Sequence, residues 1–217
     1  MIELTPDESR VLGVLIEKDK TTPEQYPLSL NAVVNGCNQK NNRDPVLSMT
    51  ENQAFDALES LRAKGLVIRS DVPGQRVNKY RHNAPEVLRL RQSEIAIMAE
   101  LLLRGPQTLG ELRGRASRMN PFESLEVVKE LLRMLIEREE PMVKLIPPSP
   151  GSRAERYMQL LCPDLHDIEA APATAVSSTD SSPPSGSLAQ RVETLEAEVA
   201  ELKTAVARLT AAGGGTG

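Results

Sequence analysis

Basic side chains gather around one predicted β-hairpin in the first half of the chain, where they could bind phosphate groups. Four cations lie on or beside the two predicted strands and their Pro/Gly turn: Arg69, Arg76, Lys79 and Arg81. Two more cations, Lys40 and Arg43, belong to an Asn-rich segment over residues 35–45. Because Lys and Arg neutralise the DNA backbone, this set predicts salt-sensitive binding to duplex DNA. A solvated hairpin, with turn chemistry alone explaining the Asn residues, is the alternative.

Two amides open the predicted helix that precedes this hairpin. Side chains of the type of Asn52 and Gln53, placed near a helix N-terminus, suit the hydrogen-bonding edge of adenine. On the same helix, the carboxylates of Asp56 and Glu59 would repel phosphates. We therefore expect the hairpin to be better placed for DNA than the helix.

Residues that support enzyme chemistry are few and scattered. Two histidines, His82 and His166, lie far apart, and His82 is predicted to have a surface or capping role. Cys162 and His166 offer a thiolate and an imidazole, but a structural zinc site needs four ligands. Cys37 is expected to pack on an apolar helix face. With no phosphate loop or nucleophile elbow in the chain, we expect a non-enzymatic protein without metal or cofactor.

The elements that carry these residues form a repeated module, in residues 1–85 and again in residues 86–165. Helix starts are marked by capping sequences at Thr5, Thr50, Thr108 and Asn120. Apolar residues at helical spacing in the third helix of each half predict its buried face: Phe55, Leu58, Leu61, Leu125, Val128, Leu132 and Leu135. Three helices followed by a hairpin predict a mainly α fold with small β-hairpins, an α+β arrangement of two tandem winged-helix domains.

The second copy is predicted to be a poorer DNA reader. Its third helix would expose four carboxylates, only partly offset by Lys129 and Arg133: Glu123, Glu126, Glu130 and Glu137. Its arginines belong instead to the preceding helix, at positions 113, 115 and 118. We therefore expect this half to contact a protein partner.

The C-terminal part differs in composition from both modules. Residues 166–187 are rich in Pro, Ser and Ala and predict a flexible linker, and residues 211–217 predict a disordered Gly-rich tail. Between them, residues 188–210 carry a heptad pattern with Val at a and Leu at d: Leu188, Val192, Leu195, Val199, Leu202, Val206 and Leu209. This pattern favours a parallel coiled-coil homodimer, with a lone amphipathic helix as the alternative.

Overall composition narrows the function classes further. The net charge of −4 belongs to the C-terminal part, because acidic and basic residues balance in each of the two modules. Three Tyr, two Phe and no Trp disfavour a single-stranded nucleic-acid platform, which stacks bases on aromatic rings. Two cysteines, no signal peptide and no apolar run of about 20 residues predict a cytoplasmic protein that does not enter a membrane.

Three segments carry a family resemblance: residues 26–31 (YPLSLN), residues 37–46 (CNQKNNRDPV) and residues 64–67 (KGLV). On these segments the chain resembles the YceH family of bacterial proteins over about residues 1–160. The resemblance implies two tandem winged-helix domains, often followed by a short coiled coil, and implies little about activity. From the basic hairpin and the C-terminal heptads, we expect a dimeric regulator that binds duplex DNA through its first domain. A winged-helix adaptor that binds proteins and no DNA is the alternative.

Overall fold

The computed structural model describes residues 2–70, 77–148 and 154–166. The chain divides into two units, 1–171 and 172–217, and every described residue lies in the first. The predictions for the linker beyond residue 166, the heptads, the Gly-rich tail and Arg76 therefore lie outside the described residues.

The first half contains three helices and a three-stranded antiparallel sheet. In chain order the elements are α1 (Pro6–Thr21), β1 (Leu28–Ser29), α2 (Leu30–Cys37), α3 (Glu51–Ala63), β2 (Val67–Ser70) and β3 (Lys79–His82). The sheet order is β1-β3-β2, with Leu28 opposite Tyr80 and Val67 opposite His82. The short β1 thus covers the edge of β3 that β2 leaves open.

The second half repeats this order after a short connecting helix. Its elements are α4 (Ala84–Leu88), α5 (Gln92–Arg104), α6 (Leu109–Ala116), α7 (Leu125–Ile136), β4 (Val143–Ile146) and β5 (Arg156–Gln159). Strands β4 and β5 pair in antiparallel fashion, and an isolated bridge between Gln107 and Tyr157 corresponds to the pairing of Leu28 with Tyr80. The described residues therefore form a mixed fold of helices with two small antiparallel sheets, as the α+β prediction requires.

Capping signals locate three of the four predicted helix starts. Thr5, Thr50 and Thr108 each cap a helix in a reciprocal capping box with the residue three positions on. The prediction at Asn120 is wrong, because α7 begins at Leu125 and its cap is Ser124. Phe122 is buried in the non-helical segment between Asn120 and that cap.

Two apolar side chains that the spacing placed in the core are exposed. Phe55 is 43% exposed and Leu125 is 40% exposed, whereas the other five predicted positions are buried. The core face of α3 runs through Ala54, Ala57 and Leu58 instead, and a rotation of about 100° per residue carries Phe55 away from it. Leu125 is the first residue of α7.

Helices α1 and α5 lie at the centre of the first unit and pack against each other. Ten consecutive residues are buried in each, 8–17 in α1 and 94–103 in α5, so both helices are enclosed on every side. One continuous cluster of buried apolar residues spans both halves. The two halves therefore share a core, and the predicted boundary between residues 85 and 86 falls inside α4.

Candidate nucleic-acid interface

Two predicted DNA contacts lie together on the outward face of the hairpin. Along β3, Tyr80 and His82 are buried, so the alternation of a strand directs Lys79 and Arg81 to the opposite face. Their cross-strand neighbours are Ser70 and Ile68. Arg81 is exposed and Lys79 is half-buried. We call Lys79 and Arg81 the outward cation pair.

The remaining predicted cations do not join this pair. Arg69 is exposed but stands opposite Tyr80 on the other face of the hairpin. Lys40 is exposed in the segment that follows α2. Within the described residues, the structure therefore unites two of the predicted hairpin cations on one face.

Arg43 lies in the interior, where it is unavailable to a ligand. Its guanidinium Nη2 donates to Glu17 Oε2 at 2.6 Å and to Gln39 Oε1 at 2.9 Å, and Nε donates to the Gly36 carbonyl at 3.1 Å. The side chain of Arg43 has no exposed surface. We therefore correct the prediction that Arg43 contacts DNA. The polar residues around Arg43 in the sequence do not reveal that α1 covers its side chain.

Both predicted amides at the N-terminus of α3 are exposed, and the capping box engages one of them. Asn52 is exposed. Gln53 is exposed as well, but its Oε1 accepts from the Thr50 backbone N–H at 2.9 Å and from the Thr50 hydroxyl at 2.8 Å. Gln53 is therefore committed to the capping box, and Asn52 is the amide left to meet a ligand.

A buried ion network joins the two halves, and the sequence analysis did not foresee it. Glu17 on α1 accepts from Arg43 and also from Arg118 Nη1 at 2.5 Å, and Arg118 Nη2 donates to Glu100 Oε2 on α5 at 2.9 Å. Arg104 Nε lies 3.1 Å from Glu100 Oε1. Because Glu17 and Arg118 are 101 positions apart, no local pattern could have paired them.

Electrostatics in this network strongly favour the ionised form of Glu17. Burial alone would raise the pKa of this carboxyl, but hydrogen bonds and charge from Arg43 and Arg118 hold its pKa at about 2. The side chains of Glu17 and Glu100 are 2% and 0% exposed. Both carboxylates are thus buried charges that depend on their arginine partners.

The Asn-rich segment over residues 35–45 has a structural role. Asn38 accepts from the Met49 N–H at 2.7 Å and donates to the Met49 carbonyl at 2.8 Å. Buried Arg10 donates to the carbonyls of Cys37 at 3.2 Å and Pro45 at 2.6 Å. The Asp44 N–H donates to the carbonyl of residue 103 on α5 at 2.9 Å. The segment therefore links the start of α3 to helices α1 and α5.

The outward face of α7 is acidic, as predicted. All four predicted carboxylates are exposed, but Glu126 and Glu130 alone lie within α7, since Glu137 is its C-cap and Glu123 precedes the helix. Arg133 pairs with Glu130 and Glu137, both at 2.5 Å, and Val127 is 41% exposed beside them. We call Glu126, Glu130, Glu137 and Val127 the acidic α7 face. A surface of this kind repels the phosphate backbone.

The arginines around α6 are all engaged within the protein. Arg113 donates to the Glu123 carbonyl at 3.1 Å. Arg115 pairs with Glu111 at 3.1 Å, and Arg118 belongs to the buried ion network. They therefore add little to a DNA-binding surface.

Cysteine and histidine side chains offer little reactive chemistry. Burial raises the pKa of the Cys37 thiol to about 12, which disfavours a thiolate. Cys162 is buried as well. His82 is buried, contrary to the predicted surface role, and burial lowers the pKa of both His82 and His166. Among the described side chains, no three His, Cys, Asp or Glu residues lie together to hold a metal ion.

No helix in the described part of the chain is long and apolar enough to cross a bilayer.

Comparisons with known proteins identify relatives over most of the chain. A family model described as "Protein of unknown function, DUF480" matches residues 4–170. A UPF0502 protein of Koribacter versatilis is 49% identical over 92% of this chain and 90% of its own length. Another, of Shewanella halifaxensis, is 45% identical over 96% of this chain and 99% of its own. A third, of Geotalea daltonii, is 54% identical over 73% and 72% of the two chains.

Proposed function

The chain belongs to the DUF480 family of bacterial UPF0502 proteins, and from that premise we propose that it is a tandem winged-helix protein that binds duplex DNA through its first half. The order of elements supports the winged-helix assignment. In each half three helices precede an antiparallel hairpin, and a short strand or bridge before the second helix pairs with the last strand. Family membership agrees with the resemblance to the YceH family.

The outward cation pair carries the DNA proposal. Lys79 and Arg81 lie on the hairpin that forms the wing in this fold, facing away from the core. Lys40 and Arg69 are exposed elsewhere in the same half, Arg69 on the other face of the hairpin. The outward cation pair suits the phosphate backbone, a contact that positions a protein on DNA without reading its sequence.

Removing the outward cation pair should weaken binding of the full chain to short random-sequence duplex DNA. Each lost phosphate contact lowers the slope of log affinity against log salt concentration by about 0.9, so the K79A/R81A variant should lose about two units of slope. Fluorescence anisotropy with labelled duplex at low and moderate salt measures this change.

The K129A/R133A variant is the matched control, because it removes two positive charges from exposed positions on α7. Its salt slope should equal that of the wild type. Absence of binding by the wild type at low salt, or equal losses in the two variants, would contradict the proposal.

The acidic α7 face favours a second candidate function, a winged-helix adaptor that binds a protein partner. Its exposed carboxylates lie beside Val127, which offers apolar contact to a basic segment. If the wild type binds no duplex at low salt, this adaptor function replaces the DNA proposal. Under both proposals the chain is a cytoplasmic binding protein without catalytic activity.

The C-terminal heptads support a proposal of homodimerisation. In a parallel pairing Arg191 at g meets Glu196 at e of a second copy, and Glu198 at g meets Lys203 at e, so both contacts attract. A chain that ends at Ser187 should therefore be a monomer by multi-angle light scattering.

A chain that ends at Thr210, which lacks the Gly-rich tail alone, should remain a dimer and serves as the control. An unchanged mass for the chain that ends at Ser187 would show that association does not need the heptads.

A further inference from the structure

An open cavity of about 550 Å³ lies beside α4, the helix that connects the two halves. Four separate segments line it: the residues before α1, the end of α4, the segment between α7 and β4, and the segment after β5. Small-molecule sites in proteins measure about 300 to 1,000 Å³ and combine apolar walls with a few polar groups that fix the ligand's orientation. The volume of this cavity therefore suits a small ligand.

Apolar side chains form part of the cavity's lining. Met142 and Leu161 are almost fully buried, whereas Ile2 and Val87 are half-buried. Because Ile2 and Val87 keep exposed surface, a ligand that covered them would remove apolar area from water. This part of the cavity suits an aliphatic or aromatic group.

Arg89 supplies positive charge to the cavity. It is exposed, and within the described part of the chain its guanidinium has no hydrogen-bond or ion-pair partner. Its backbone is left-handed, with a φ of 52°, directly after α4, where glycine is the usual residue. A side chain held in this conformation lowers stability, and residues of this kind cluster at ligand sites. The Arg89 guanidinium is therefore suited to bind a ligand carboxylate.

Arg138 holds the backbone of Arg89 in place. Its Nη1 donates to the Arg89 carbonyl at 3.3 Å, and its Nη2 donates to the Leu88 carbonyl at 3.1 Å. Because these bonds engage both Nη atoms, Arg138 is a positioning residue. Arg89 is the cation that remains to meet a ligand.

Glu139 supplies negative charge to the same cavity. It is exposed and has no ion-pair partner among the described residues, whereas Glu140 already has an interaction within the protein. Arg89 and Glu139 thus offer opposite charges in a cavity with apolar walls. This combination is complementary to a zwitterion that carries an apolar group.

We propose that this cavity binds an α-amino acid with a large apolar side chain. Arg89 holds the ligand's carboxylate, and Glu139 holds its ammonium group. Ile2 and Val87 cover its side chain. Neither member of the outward cation pair is among the described residues that line the cavity, so the inference stands apart from DNA binding.

Ligand-detected NMR titrations of the full chain with L-phenylalanine and L-leucine test the proposal. Phenethylamine lacks the carboxylate of phenylalanine, and 3-phenylpropionate lacks its ammonium group. Each analogue should bind the wild type about tenfold more weakly than L-phenylalanine does, because each loses one charge-assisted contact. Glycine lacks the apolar side chain and should bind at least as weakly as the analogues.

Each charged contact has its own variant. R89G should weaken the binding of L-phenylalanine about tenfold and leave the binding of phenethylamine unchanged, because this analogue has no carboxylate for Arg89. E139Q should weaken the binding of L-phenylalanine by a similar factor and leave the binding of 3-phenylpropionate unchanged.

Two controls separate loss of binding from loss of folding. R89G places glycine at a left-handed position, so its Tm should equal or exceed that of the wild type. E86Q removes an exposed carboxylate on α4 and should keep the wild-type affinity for L-phenylalanine. Absence of binding by L-phenylalanine and L-leucine up to about 10 mM, or equal affinity of the wild type and R89G, overturns the proposal whatever the DNA measurements show.

Discussion

Replacing Arg43 with alanine should lower the free energy of unfolding by about 3 kcal/mol, because it removes two hydrogen bonds that the buried Glu17 carboxylate accepts and leaves Arg118 as its hydrogen-bond donor. Arg43 Nη1 and Nη2 donate to the two Glu17 oxygens at 3.2 and 2.6 Å, and both side chains are almost fully buried. The variant also removes the donor that binds the Gly36 carbonyl. Urea unfolding followed by circular dichroism measures the loss.

Arg133→Ala is the matched control for this variant. Arg133 forms two ion pairs as short as those of Arg43, but its side chain and those of its partners are more than half exposed. Solvent screens such pairs, so R133A should unfold at nearly the wild-type urea concentration. Equal stability of R43A and R133A would show that burial adds nothing to the network.

The same network predicts how acid affects stability. The pKa of Glu17 is about 2 in the folded protein and 4.5 for the ordinary group, so the folded state holds the ionised form more tightly. The resulting stabilisation, on the order of 3 kcal/mol, is present above pH 4.5 and is lost as the pH falls toward 2. A Glu17→Gln variant should be less stable at neutral pH and should lose less stability over this interval than the wild type.

Gly13→Val should lower the free energy of unfolding by about 3 kcal/mol through overpacking between α1 and α5. A Cβ on Gly13 would lie 2.9 Å from Leu103 Cγ, 3.0 Å from Leu103 Cδ2 and 3.3 Å from Leu102 Cβ. The two further methyl groups of valine have no space unless α1 and α5 separate. Urea unfolding again gives the magnitude, and hydrogen exchange of the Asp44 N–H, which binds the Leu103 carbonyl, reports the separation.

Gly114→Val supplies the comparison for this substitution. Gly114 lies within α6, and an added Cβ there meets nothing within 4 Å. Both variants replace a helical glycine with valine, so the larger part of the difference between them reports the contact with α5. Equal stabilities would contradict the close packing of α1 on α5.

The Asn-rich segment also links α3 to the second half. The segment that contains Arg43 precedes α3, and its Asp44 N–H is bonded to α5. The second half therefore helps to position α3. The second half exposes carboxylates on α7. It supports the first half through α5.

Local features of this protein were predictable from the sequence. The capping boxes at Thr5, Thr50 and Thr108 depend on atoms within three residues of one another, and strand alternation places Lys79 and Arg81 opposite buried Tyr80. The exposed carboxylates of α7 follow from helical periodicity in the same way. Such features need only the backbone geometry of one element.

Tertiary structure alone decided which charges are buried and how the halves meet. The residues around Arg43 in the sequence have the polar composition of a surface loop. The packing of α1 against the Asn-rich segment nevertheless encloses Arg43 together with Glu17. Phe55 has the spacing of a core residue, yet the core of α3 is completed by Ala54 and Ala57. Sequence periodicity reports which residues share a face, whereas burial depends on what another part of the chain places over that face.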